Sequence, residues 1–214
     1  MMYWYDAATR MERLYQLQKQ KLDYYSKITG VQATSVEMLQ SVYENKLVID
    51  TKIKTENEEN RIKLSDPELP THPYLYLTGH GNIRLNDEEI IALRDHLLNG
   101  GFLHADDNYG MDESFRREIK KVFPNKDFVQ LPKDHAIFNS YYKFENGLPK
   151  IHEHDKKPPQ ALALFEGEKI LVLYTYESDL GDGWENLEIH NDPQEIRLKA
   201  LQMGANIINY AFLN

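Results

Sequence analysis

The strongest constraint on the fold is a strand–helix–strand–helix rhythm between Pro73 and Pro124. Tyr74-Leu75-Tyr76-Leu77-Thr78 is an apolar run closed off by Pro73 and Gly79, the pattern of a strand buried on both faces. A helix is predicted over 87–98. Ile90, Ile91, Leu93, Leu97 and Leu98 supply its apolar face, and Asn86 with Glu89 has the spacing of a capping box. Asn99-Gly100-Gly101 ends it, with glycine available for a left-handed turn. Phe102-Leu103-His104-Ala105 reads as the next strand. Residues 112–123 read as the next helix, with Phe115, Ile119 and Val122 inward and Pro124 as the stop. This alternation predicts βαβ units and an α/β fold with a mostly parallel sheet.

Weaker signals flank that core. A helix is expected over 6–27, where Leu14, Leu17 and Leu22 recur among polar residues, a strand over 47–53, and a returning strand over 61–64. Residues 127–131 suggest a short strand. Ala161–Phe165 and Lys169–Tyr176, joined across Glu166-Gly167-Glu168, suggest a β-hairpin. A last helix is expected from Asp192-Pro193, with Asp as cap and Pro in the first turn. Its apolar positions Ile196, Ala200, Met203, Ile207 and Ala211 run on through Gly204. The 214 residues suit a single domain.

Several chemistries are excluded outright. With no cysteine, the chain has no disulfide, no thiolate metal site and no cysteine nucleophile. The net charge of −9 argues against nucleic acid or an anionic membrane as the main partner. No apolar run has the length of a membrane span. Met1-Met2-Tyr3-Trp4 lacks the opening of a signal peptide, so the chain as given is expected in the cytoplasm, or exported if its N-terminus was trimmed. No G-x-S-x-G elbow, P-loop, dinucleotide fingerprint or H-E-x-x-H motif occurs.

The candidate site residues follow from a topological rule. In open α/β sheets ligands bind beyond the carboxyl ends of the parallel strands. That selects Gly79-His80-Gly81-Asn82 after the first core strand and Asp106-Asp107-Asn108-Tyr109-Gly110 after the second. His80, Asp106 and Asp107 are the candidate catalytic residues; Gly79, Gly81, Asn82, Asn108 and Tyr109 would contact a ligand. Asp and Asn after a strand are also ordinary turn and cap residues. His152-Glu153-His154-Asp155 places two imidazoles one residue apart, on one side of an extended chain, a spacing that metals use. The same run suits a polar surface loop. Glu177-Ser178-Asp179-Leu180-Gly181-Asp182-Gly183-Trp184-Glu185 has the composition of an oxygen-ligand cation loop, with Asp179 and Asp182 as ligands, but lacks EF-hand spacing. Trp184 either covers a ligand or anchors that loop. No cofactor is required by the sequence, and a divalent cation is compatible with it.

Five runs carry a resemblance: Tyr76-Leu77-Thr78-Gly79-His80-Gly81-Asn82-Ile83; Gly100 to Gly110 with Ser114-Phe115-Arg116-Arg117-Glu118; Leu148-Pro149-Lys150-Ile151-His152-Glu153-His154-Asp155; Ser178 to Glu185; and His190-Asn191-Asp192-Pro193. Together they closely resemble the family of domain of unknown function 4159, over residues 61–212, with 1–60 as a variable N-terminal part. The resemblance implies a class I glutamine-amidotransferase-like domain with a flavodoxin-like three-layer α/β/α sandwich. The strand, helix and Gly-Gly-strand rhythm is also similar to ThuA-like proteins. In the thiol members of that superfamily the nucleophile stands on an elbow after a strand, where this chain carries Asp106-Asp107-Asn108. Family members open with a strand and a glycine-rich turn. Here Trp4-Tyr5-Asp6 would be the tail of that turn, and the first strand is expected to be absent.

Two functional readings follow. The first is a ligand-binding or assembly module, partnered by a small molecule or a protein, in which the polar residues cap and tie loops; it requires every buried polar group to be satisfied and no open pocket. The second is a non-thiol hydrolase or carbohydrate-active enzyme using Asp and His at the carboxyl edge, with or without a divalent cation; it requires the His152–His154 loop to lie near Asp106.

Overall fold

A computed structural model describes residues 4–5, 61–107, 109–184 and 192–213. The helix expected over 6–27 and the strand over 47–53 lie outside the described residues, as do Asn108, His190 and Asn191.

The described elements in chain order are β1 (Trp4–Tyr5), β2 (Arg61–Ile62), β3 (Tyr74–Gly79), α1 (Asp87–Leu98), β4 (Phe102–Asp107), α2 (Asp112–Val122), β5 (Val129–Gln130), β6 (Gln160–Glu166), β7 (Lys169–Tyr176), α3 (Leu180–Trp184) and α4 (Gln194–Leu213). They form a mixed α/β fold around one sheet ordered β2-β1-β3-β4-β7-β6-β5. The centre of the sheet is parallel: β3 pairs with β4, and β4 with β7. The flanking strands run antiparallel. On one side this follows from the tight turn at Gly167, which folds β7 back against β6 as the expected hairpin. On the other, Trp4–Tyr5 form a short strand against β3, where the sequence suggested only the tail of a turn.

The core helices begin where their local chemistry says they should. Asn86 and Glu89 form the expected capping box, each side chain reaching the other's backbone amide at 2.9 Å. Past α1 the chain turns at Gly100 with φ +118°, open to glycine and costly for other residues. α4 runs unbroken through Gly204.

Alternation along the strands divides the core in two. Leu75, Leu77, Leu103 and Ala105 face α1 and α2, packing with Leu93, Leu97, Phe115 and Ile119. Tyr74, Tyr76 and Phe102 face the other way, packing with Trp184, Ala200, Met203 and Ile207 of α3 and α4. Among the described residues no helix is long and apolar enough to cross a membrane.

Candidate functional site

β3, β4 and β7 end together. Thr78 is level with Asp106, Gly79 with Asp107, and Asp106 with Thr175. The loops that leave these ends therefore meet at one edge. The loop holding His152 joins them because the Ile151 amide bonds to the Ser178 carbonyl at 2.9 Å. All four non-glycine residues with positive φ among the described residues lie in these loops: Tyr109, Lys156, Glu177 and Asp179. Left-handed backbone at non-glycine positions persists only where surrounding contacts impose it.

Asp106 stands at the centre and is fully buried. Its carboxylate accepts from the Tyr76 hydroxyl at 3.2 Å, from the Thr175 hydroxyl, and from the Gly181 amide at 2.7 Å. Burial pushes its pKa up to about 6, against the opposing pull of those donors. The polar seam continues inward. His104 Nε2 lies 2.9 Å from Thr175 Oγ1, and its Nδ1 lies 3.0 Å from the Tyr74 hydroxyl. Burial drives the His104 pKa down to about 3, so the ring is neutral, with one donor and one acceptor nitrogen. Thr175 gives its single proton to Asp106. Nε2–H of His104 must then donate to Thr175, and Nδ1 accepts from Tyr74.

Asp107 points to the opposite face of the sheet. It is buried, accepts from the Met111 amide at 3.3 Å, and lines a cleft of about 290 Å³. Tyr109, Gly110, Asp112, Glu113, Asp155, Tyr176 and Glu177 line the rest. Burial raises the Asp107 pKa, with the charges of Asp112 and Glu177 adding to the effect. Glu177 is itself held by Lys150 at 2.9 Å.

The two histidines sit beside Asp179, just before α3, and Asp182, within it. His154 Nε2 is 2.5 Å from Asp179 Oδ2, and the Tyr109 ring stacks on His154 at 4.8 Å. Burial, followed by the charges of Asp106, Asp182 and Asp107, pushes the Asp179 pKa up to about 8. Burial also lowers the pKa of His154, with His152 adding to the shift. Both directions oppose a charged pair, and His154 Nε2 is buried and makes no hydrogen bond among the described residues, so the contact is a close approach of the two groups. His152, His154 and Asp182 each present a ligand atom within 4.8 Å of the others. His152 Nδ1 also lies 4.0 Å from Asp192 Oδ1. Asp192, expected as the cap of the last helix, has its other oxygen buried with no hydrogen bond. The Pro193 carbonyl accepts the Ile196 and Arg197 amides in the first turn of α4.

The remaining candidates spread around this centre. His80 is exposed on the rim, its Nδ1–H donating to the Tyr109 carbonyl at 3.1 Å. Gly79 and Gly81 adopt φ +151° and +105°, and the Asn82 side chain accepts from Arg117 at 2.9 Å. Trp184 is buried and takes the anchoring role: its indole N–H donates to the Ala200 carbonyl at 2.9 Å, and its ring packs on Tyr76 at 5.2 Å. Sequence reading did not single out His104, Lys150, Tyr174 or Thr175. Thr175 had an available signal, since it lies one residue before the end of a strand that becomes parallel to β4. A larger cavity of about 700 Å³ lies at the opposite end of the sheet, beside Pro73, His96 and Gly101, and includes none of the candidate residues.

No curated protein matches the chain. The family model described as Domain of unknown function (DUF4159) matches residues 19–212, reaching well into the part before Arg61, and the chain belongs to that family.

Proposed function

We propose that the chain is a non-thiol hydrolase acting on a small polar substrate at the carboxyl edge of the sheet. The observation that carries this reading is the convergence of the His152–His154 loop with Asp106, Asp107 and Asp179 beside an open cleft. A pure binding or assembly module would leave every buried polar group satisfied. Asp179 Oδ1 is buried and makes no hydrogen bond. Asp107 is the best-placed base, because it lines the cleft and burial raises its pKa above the ordinary carboxylate value. It would take a proton from the attacking water, and that proton would pass to the leaving group, so the net reaction adds one water across the cleaved bond.

Five carboxylates line the cleft: Asp107, Asp112, Glu113, Asp155 and Glu177. They disfavour phosphate esters and favour polyhydroxylated or cationic substrates, with the Tyr109 and Tyr176 rings offering flat contact surfaces. The helices on both faces of the sheet fit a flavodoxin-like three-layer arrangement, and the carboxylates at the elbow fit a glutamine-amidotransferase-like domain rebuilt without its thiol. The binding or assembly reading keeps one observation in its favour: Asp106 is fully engaged by internal donors.

The test is turnover of chromogenic glycosides, esters and amides, with phosphate esters as the expected negatives. Hydrolysis of one class, lost in D107N at unchanged melting temperature, is the expected result. No turnover in any class, or turnover indifferent to D107N, returns the site to the binding reading.

A further inference from the structure

We propose that His152, His154 and Asp182 bind a divalent transition-metal ion of the zinc class, with the carboxylates of Asp179 and Asp192 close behind the two imidazoles. The assignment deepens the hydrolase reading and rests on it only for the role of the metal's water; the binding itself stands on the ligand geometry.

Three observations converge. First, the ligand atoms of His152, His154 and Asp182 already lie within 4.8 Å of one another, so small side-chain motions would bring them onto one ion. Second, each imidazole has a carboxylate behind it. Asp179 Oδ2 is 2.5 Å from His154 Nε2, and Asp192 Oδ1 is 4.0 Å from His152 Nδ1. His154 Nε2 is buried and makes no hydrogen bond among the described residues, and a small turn of either ring would let a carboxylate take the nitrogen that an ion does not use. Third, Asp179 is 1% exposed, and its Oδ1 makes no hydrogen bond among the described residues. Asp192 Oδ2 is likewise buried without one. A buried oxygen left this way costs about 1–3 kcal/mol or more. A water held by the ion would donate to Asp179 Oδ1 and remove that cost.

The donor set selects the metal. Two imidazoles and a carboxylate suit zinc and its neighbours, whereas magnesium and calcium prefer all-oxygen cages. Three protein ligands leave a position open for water, as in catalytic rather than structural zinc sites.

The experiment is calorimetric titration of the metal-stripped full chain with Zn²⁺, alongside Mg²⁺ and Ca²⁺, and Co²⁺ binding followed by visible absorption. The expected result is one equivalent of Zn²⁺ per chain, with a rise in melting temperature. H152A and H154A should each weaken binding by on the order of 100-fold, while E153A, changed at the exposed residue between them, binds as wild type. His152 is partly exposed, so H152A carries the test if H154A fails to fold. Absence of Zn²⁺ uptake by wild type, tighter uptake of Mg²⁺ or Ca²⁺, or unchanged affinity in H152A would each overturn the assignment. Zn²⁺ binding without turnover would leave the metal site standing and reject the hydrolase; turnover without Zn²⁺ binding would do the reverse.

Discussion

Asp106 Oδ2 accepts the Gly181 amide at 2.7 Å, so the segment that follows β7 is tied to the end of β4. This bond holds Asp179, just before α3, and Asp182, within it, at the same edge as Asp107. It also explains why position 181 is glycine. A Cβ there would lie 2.7 Å from the Tyr76 hydroxyl and 3.2 Å from Asp106 Oδ2, and Tyr76 is fully buried with no room to swing away. G181A is expected to cost about 1–3 kcal/mol by urea titration. G183A should cost as much, because its Cβ would meet Ala200 Cβ at 2.3 Å. The double variant G183A/A200G should recover stability up to the ~1 kcal/mol that glycine costs inside α4. Wild-type stability in both single variants would show that these helices are not in close contact.

Much of this frame was legible in the residues, and the limits of legibility have physical causes. The β3–α1–β4–α2 rhythm could be read because each element carries its own local signal: a run of apolar residues, a capping box, a glycine pair, a proline. The edge at which Asp106 and Asp107 stand followed from strand direction alone. What could not be read was the pairing of distant loops. His154 meets Asp179 because the Ile151 amide bonds to Ser178, a contact with no sequence signal. α3 was missed for a related reason. Its Leu-Gly-Asp-Gly-Trp sequence is poor helix material, and the turn exists because Asp106 receives its first amides and Trp184 anchors its end on Ala200. The antiparallel flanks of the sheet were only half visible, since the hairpin has a turn signal at Gly167 and the pairing of Trp4 with Leu77 has none.

Two buried groups in the seam set opposite pH dependences. His104 has its folded pKa lowered to about 3, so the unfolded chain binds its proton first as pH falls from 6.5. Stability from this group is present above pH 6.5 and is lost on acidification toward pH 3. Asp106 has its folded pKa raised to about 6, so its contribution is present below the unfolded value of 3.8 and is lost as pH rises through 6. The two offset one another over the shared window, and removing one exposes the other. H104Q, which keeps a donor for Thr175 and an acceptor for Tyr74, should lower the stability gain between pH 4 and pH 7 by about 3 kcal/mol relative to wild type. D106N should change it in the opposite direction. Identical pH profiles for all three proteins would show that neither group titrates differently on folding.

Glu118 clamps the loop that bears His80 and Asn82. It is 1% exposed on α2; its Oε2 accepts the Leu85 amide at 3.1 Å, and it bonds Arg117 and Lys121 at 2.8 Å. Burial opposes its ionisation, but Lys121, Arg117 and the Leu85 amide outweigh it and hold its pKa below the usual value. E118A should cost about 1–3 kcal/mol by leaving that amide without an acceptor. E118Q, which keeps an acceptor, should cost less. Hydrogen exchange should rise at Ile83 and Leu85 in E118A while the strand amides of β4 stay protected. Unchanged exchange there would mean that the neighbouring Ser114, which accepts the Ile83 amide at 3.0 Å, holds the loop by itself.

Lys150 and Glu177 form a buried ion pair beside the cleft, with both side chains mostly out of solvent at 2.9 Å. Glu177 also holds a left-handed backbone, φ +58°, so its carboxylate is fixed in place by strain that the surroundings must impose. Removing the cation leaves that carboxylate buried with Lys157, at 3.8 Å, as its remaining ion-pair partner among the described residues. K150M is therefore expected to lose about 3 kcal/mol. Replacing both charges is a different matter, because no uncompensated charge remains. K150M/E177Q should recover most of the loss, and a double-mutant cycle by urea unfolding should report a coupling well above the ~1 kcal/mol ceiling of exposed pairs. Additive single losses would place the pair with surface ion pairs, and Glu177 would then be held by its backbone alone.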